Sequence, residues 1–276
     1  MQNLNELFND LDLKENTDLM PVLFLGHGSP MNAIEDNQFV QGFKNISPTL
    51  PTPKAILCIS AHWFTDGTKV TYMNNPKTIH DFSGFPQALY NVQYPAKGSP
   101  TLAKDTKNLL FPTNVELDEK WGLDHGAWSV IKHLYPLANI PIIELSIDYT
   151  KSAEYHFYLA KKLRVLRNKG ILIIGSGNII HNLRLVDFHN FEKDNYGFDW
   201  AIEAKEKLYN YINNRDFQPL INYQKLSIAI QLSIPTPEHF LPLIYTLGLQ
   251  EKSENIYFFN GKLMGGSLSM TSLKIG

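Results

Sequence analysis

One cysteine, Cys58, in 276 residues excludes an intrachain disulfide and any multi-thiolate zinc or iron–sulfur site, so a metal bound here must use histidine and oxygen donors. Cys58 itself lies within AILCIS, where a small buried side chain is the simplest reading. Neither sign of charge is in excess. Lys and Arg number 25 against 27 Asp and Glu, a formal net charge of -2, and only the KKLRVLRNK stretch gathers basic residues. That leaves no basic field for a phosphate backbone, and nucleic acid is not an expected partner. No apolar run approaches the roughly 18 residues of a membrane helix. The N-terminus MQNLNELFNDLDLKEN is acidic where a signal peptide is basic and then apolar. A cytoplasmic protein without a membrane partner is expected, a monomer or weak homo-oligomer.

Repeats, low-complexity tracts and linker-like composition are also missing between Pro21 and Gly276. With 43% hydrophobic and 19% charged residues, this stretch is long enough to form one domain with a large core. Residues 1–20 form an extension in which Leu4, Leu7, Phe8 and Leu11 fall at helical spacing, predicting a short amphipathic helix.

From Pro21 onward the chain has short apolar runs followed by small or turn-forming residues: VLFL before GHGSP, AILCIS before AHW, IPIIELS before IDYT, and ILIIG before SGN. Runs of four to seven apolar residues without alternation are typical of strands buried on both faces. Between them lie helical signals. Ser99 and Pro100 read as an N-cap and first helical residue before TLAKDTKNLLF. SAEYHFYLAKKLRVLRNKG has Tyr155, Leu159, Leu163 and Leu166 on one face and Gly170 as a stop. The expected fold is α/β, a single domain with a mostly parallel central sheet covered by helices on both faces. The proline- and aromatic-rich stretch Thr71 to Gly98 is long enough to wall a site.

Histidine is what the chain has in telling places. His27, His62 and His181 follow apolar runs, on the edge of an α/β sheet where ligands bind. His239 follows Pro235 and Pro237, and PEHFLPLIYTLG reads as a helix start whose first turn brings an imidazole to the same edge. Taken singly, each is more simply a hydrogen-bonded, semi-buried side chain, but four at one edge suggest a metal or proton-transfer site. His133, His156 and His189 read as surface or packing residues, and His80 is left open. Other motifs fail. GSGNII lacks the third glycine of a dinucleotide fingerprint, GHGSP is not a nucleophile elbow around Ser29, and no HExxH, P-loop or EF-hand pattern is present.

GHGSPMNAIEDN, SAHWF, TIHDFSGFPQALY, LDHGAW, LSID, SGNIIHNLR, IPTPEHFLPL and GGSLSM, in this order, resemble the class III extradiol ring-cleavage dioxygenases, nearest the bacterial 4,5-DOPA extradiol dioxygenase branch. The resemblance runs from about Pro21 to the C-terminus and implies a catalytic domain over 21–276. It implies that His27, His62 and His239 hold one divalent metal, with His239 where better-known members have glutamate. It places His181 beside the metal as catalytic histidine, with a fourth-ligand role left open, and His125 on the substrate side. The implied reaction opens a catechol ring with O2, L-DOPA cleaved at the 4,5 bond being the best substrate expectation. Two imidazoles and a carboxylate suit Fe(II), whereas three imidazoles also suit Zn(II), so both metals are carried forward. Glu238 adjoins His239 as an alternative donor. Phe82, Phe85, Tyr94, Trp63 and Trp128 are candidates for an aromatic wall, the first two and Tyr94 as substrate contacts. A zinc hydrolase on the same histidines, and a non-catalytic interaction protein of the same fold, are the alternatives.

Overall fold

The computed structural model describes residues 18–276, so the helix predicted at Leu4 to Leu11 lies outside the described residues. Each predicted apolar run forms a strand. They are β1 (Val22–Gly26), β2 (Ala55–Ser60), β3 (Ile142–Glu144) and β4 (Ile171–Gly177). Two C-terminal strands, β5 (Ile256–Phe259) and β6 (Ser272–Ile275), complete a sheet of order β3-β2-β4-β1-β6-β5. The β3/β2, β2/β4 and β4/β1 pairings are parallel, whereas β1/β6 and β6/β5 are antiparallel. The sheet is thus mostly parallel as expected, with an antiparallel edge the sequence pattern did not reveal. IPIIELS also yields less strand than its length suggests: after Glu144 the chain leaves the sheet, and Ile147–Asp148 pairs separately with Phe64–Thr65.

The alternation of side chains explains why the central runs are apolar throughout. Val22 and Phe24, Leu57 and Ile59, and Ile171 and Ile173 join one core with the helices Ala153–Leu163 and Leu241–Gly248. Leu23 and Leu25, Ile56 and Cys58, and Leu172 and Ile174 join the opposite core, under the helices Gln38–Ile46 and His125–Leu134. Both faces are therefore covered, and each fully buried aliphatic side chain contributes about 1.5–3 kcal/mol relative to exposure. Cys58 is buried here.

The caps agree with the sequence. Ser99 Oγ accepts the Leu102 N–H ahead of Pro100–Leu109, and Ser152 caps Ala153–Leu163, which continues as a 3-10 turn to Gly170. Gly170 ends it at φ 80°, a left-handed conformation that glycine adopts without steric cost. One basic residue of that region is not solvated: the fully buried Arg167 guanidinium pairs with Glu254 and donates to the Met20 and Leu249 carbonyls, tying the chain's entry to its last helix. No helix among the described residues is long and apolar enough to cross a membrane.

Candidate metal centre

Parallel strands deliver the histidines to one edge. His27 follows β1 directly and its N–H donates to the Gly177 carbonyl at the end of β4. His62 lies two residues past β2, where the Ala61 N–H bonds the Ser176 carbonyl. His181 lies four residues past β4, its N–H on the Ser233 carbonyl. His239 sits just ahead of the helix rather than within it. The helix begins at Leu241, and His239 lies in the single turn leading into it, where the Phe240 and Leu241 N–H groups both bond back to the Pro237 carbonyl. The His239 carbonyl in turn accepts the Asn178 N–H, fastening this turn to the end of β4. His125 is the first residue of its helix, after the Asp124 cap.

The rings of His27, His62 and His239 form a nearly equilateral triangle, with centroids 5.0, 5.3 and 5.2 Å apart. The Nε2 atoms of His27 and His62 face each other at 3.2 Å. His125 lies against His62 at 3.9 Å but 5.8 Å from His27, and its ligand-type nitrogen is within 4.8 Å of theirs. His181 stacks flat on His239, centroids 3.6 Å apart and planes 12° from parallel.

Hydrogen bonds of His27 and His239, and the carboxylate facing His62, fix which nitrogen of each ring is bare. Ser176 Oγ donates its single proton to the Gly126 carbonyl, so at 3.0 Å from His27 Nδ1 it accepts, and His27 carries its proton on Nδ1. Carboxylates only accept. Asp81 Oδ2, 3.2 Å from His62 Nδ1, and Glu238 Oε1, 3.2 Å from His239 Nδ1, therefore place protons on those Nδ1 atoms too. Three Nε2 lone pairs are left free. Burial, and then the surrounding imidazoles, hold His27 and His62 well below the ordinary histidine pKa, in the neutral form that binds cations. Burial and His239 lower His181 to about 3. Burial pushes Glu238 up, but hydrogen bonds from His239 and Thr236 outweigh it and hold the carboxyl at about 2. The facing nitrogens of His27 and His62 fit one divalent cation, with the His239 ring 5.3 and 5.2 Å from theirs. Two tetrahedral ligands at about 2.0–2.1 Å from zinc lie about 3.3 Å apart, close to the spacing of the facing Nε2 atoms, whose lone pairs repel without a positive charge between them.

The centre opens on a cavity of about 500 Å³. Phe82 and Phe85 form one wall, and Leu183, Val186, Phe188 and Phe191 another.

Residues 21–265 match the family model described as the catalytic LigB subunit of aromatic ring-opening dioxygenase. The chain belongs to this family. It is 47% identical over 269 residues to the 4,5-DOPA dioxygenase extradiol of Escherichia coli K12, covering 96% of this chain and 98% of that protein. It is 36% identical over 236 residues to the protein of the same name from Mirabilis jalapa, covering 83% and 86%. A crystal structure of an uncharacterized Escherichia coli K12 protein superposes with a TM-score of 0.81 at 44% identity, covering 93% of this chain and all of that one. The resemblance drawn from the sequence motifs is borne out: the chain is a class III extradiol dioxygenase of the LigB family, an oxidoreductase with a histidine metal site.

Around that LigB site, the structure gathers His27, His62, His125, His181 and His239 at one cavity with Phe82 and Phe85. It does not bring Tyr94 there. Tyr94 is buried, and its hydroxyl donates to the Tyr135 carbonyl, so the expectation of a substrate contact is corrected to a packing role. Trp63 stacks on Trp121, and Trp128 is buried behind Phe82 with its N–H on the Ile79 carbonyl. His80 bonds the Val92 carbonyl, and His156 is buried between Tyr245 and the Asp148 carbonyl. Asp81, Ser176, Asn178 and the apolar segment from Leu183 to Phe191 were not singled out by sequence reasoning. The available signals were the HDF triplet in the predicted wall and the exposed apolar residues after SGNIIH.

Proposed function

We propose that this chain opens the ring of a catechol by extradiol cleavage with O2, and that L-DOPA, cut at the 4,5 bond, is the first substrate to test. His27, His62 and His239 hold the metal, Fe(II) in the working enzyme and Zn(II) when isolated without iron, in a cytoplasmic protein. The observation that supports this most is the triangle of the His27, His62 and His239 rings lining an aromatic-walled cavity, with two further histidines beside it. The metal, when bound, offers a positive centre that two adjacent hydroxyls chelate and that lowers their pKa.

The side chains do the rest. Phe82 and Phe85 hold the ring edge-on and exclude water, their own rings 5.4 Å apart at 79°. His181, neutral at pH 7, takes the proton of the second hydroxyl on a ring nitrogen and later returns it. His125 presents its Nε2 to accept from a substrate hydroxyl, and Glu238 stays outside as the acceptor that orients His239. The relatives named 4,5-DOPA dioxygenase extradiol support the choice of first substrate.

Protein purified without chelator should contain one divalent metal per chain. After anaerobic loading with Fe(II) it should consume oxygen and form a yellow ring-opened product from at least one of a catechol panel including L-DOPA. No oxygen uptake from the iron form, together with ester or amide hydrolysis by the zinc form, overturns the proposal. His181→Ala should lower kcat by about 10²–10⁴ with metal content unchanged. Loss of metal in that variant makes His181 a ligand instead.

A further inference from the structure

Asp81 is placed where one carboxylate touches two histidines with different duties. Its Oδ2 lies 3.2 Å from His62 Nδ1 and 3.0 Å from His125 Nδ1. Its Oδ1 accepts the His125 backbone N–H at 2.9 Å. That N–H is one of the first-turn donors that a helix cannot satisfy internally, at the end of the helix His125–Leu134 where the backbone dipole favours an anion. His125 Nδ1 is sealed from solvent and makes no well-aligned hydrogen bond among the described residues, and Asp81 Oδ2 at 3.0 Å is the carboxylate oxygen it faces.

The loop that carries Asp81 is held on both sides. Thr78 bridges to Leu123, the Ile79 N–H donates to the Leu123 carbonyl, and the Leu123 N–H to the Lys77 carbonyl. The Trp128 indole N–H on the Ile79 carbonyl adds a third tie from the helix that begins with His125. The ladder fixes the backbone just before Asp81, and the His125 N–H holds its carboxylate.

We infer that Asp81 is a positioning residue that sets the Nδ1–H tautomer of both His62 and His125, so that one carboxylate orients a metal ligand and the substrate-side histidine together. An ionised carboxylate has no proton to give and repels a ring lone pair, so both rings turn Nδ1–H toward it and both Nε2 atoms are left bare, one toward the metal group and one toward the cavity. The inference rests on the ligand assignment above, but its metal and tautomer readouts need no catechol turnover and so fail or succeed separately from that reading.

Asp81→Asn keeps the shape and an oxygen for the His125 backbone N–H, and removes the shared anionic acceptor. In the full-length protein, affinity for Zn(II) and Co(II), followed by competition with a chelating dye, should fall about 10–100-fold. At saturating Fe(II), kcat should also fall, and this second loss should vanish when Asp81→Asn is added to His125→Ala, whereas the affinity loss should persist in that background through His62. Affinity within twofold of the parent, or the same fractional kcat loss with and without His125, overturns the inference. Should the variant not fold, the parent protein decides the matter. Long-range nitrogen–proton NMR of the zinc-loaded form should show Nδ1–H at His62 and His125, and an Nε2–H tautomer at either overturns it.

Discussion

Gly177, the last residue of β4, has its own carbonyl on the His27 N–H and lies against the backbone of His239. A Cβ added there overlaps the His239 carbonyl oxygen, with the carbonyl carbon at 3.1 Å and Pro242 Cγ at 3.2 Å. The carbonyl must retreat by about 1 Å to reach ordinary contact, since interiors are packed too closely to absorb the methyl elsewhere. It cannot do so freely, because the Asn178 N–H holds the same oxygen and the turn is closed on Pro237. The displacement passes to the His239 imidazole. Misplacing a reacting group by about 1 Å costs about 100-fold in rate, so Gly177→Ala should lower kcat/KM for catechol oxygenation by about that factor and weaken zinc binding with it. Overpacking of this kind costs about 1–3 kcal/mol, a fall of about 2–5 °C in Tm for a chain of this size. Gly175→Ala is the control. Its Cβ meets the Pro242 carbonyl oxygen at 2.5 Å and Thr246 Oγ1 at 2.6 Å, pressing on the helix rather than on His239. It should lower Tm comparably with a much smaller loss of activity. Oxygen-electrode kinetics, zinc titration and thermal melts on both variants test this. Gly177→Ala activity within threefold of the parent, or an equal loss in Gly175→Ala, refutes the argument.

Ser176→Ala removes the acceptor that keeps the His27 proton on Nδ1 and leaves the Gly126 carbonyl without its donor, so zinc affinity should fall about 10–100-fold, measured by competition titration. Glu144 is fully buried, and burial and then Asp124 push its carboxyl well above the ordinary value. The folded state therefore binds more protons than the unfolded state above about pH 4.3, and stability falls as pH rises from there toward the folded-state pKa. Urea titrations at pH 5 and pH 8 should show a smaller loss across this range in Glu144→Gln than in the parent. Phe188, 76% exposed at the cavity mouth, packs little, so Phe188→Ala should change stability by no more than about 0.5 kcal/mol while raising KM for catechols. A changed kcat with unchanged KM places Phe188 elsewhere in the cycle.

Much of the fold was legible because its strands are apolar on both faces. A run such as ILIIG has no polar side to turn to water, so it must lie between two covered layers, and Gly170 and Ser99 mark where neighbouring elements stop and start. The antiparallel strands β5 and β6 were less readable: Tyr257 is exposed and Lys274 half-buried, and such mixed patterns do not separate an antiparallel strand from a loop. The helix expected to include His239 starts two residues later, at Leu241, after a lead-in turn closed on the Pro237 carbonyl.

The amino-acid sequence alone determined the metal chemistry open to this protein, through one cysteine and histidines after apolar runs, and its motifs carried the family. Only the tertiary structure decided which histidines meet, which nitrogen of each is bare, and that Asp81 and Ser176 make it so. It also moved Tyr94 out of the site and brought Leu183 to Phe191 into it. The physical reason is range. Strand, cap and turn preferences act over a few residues, whereas a tautomer is set by whichever acceptor lies about 3 Å from the ring, and for His27 that acceptor is 149 residues away along the chain.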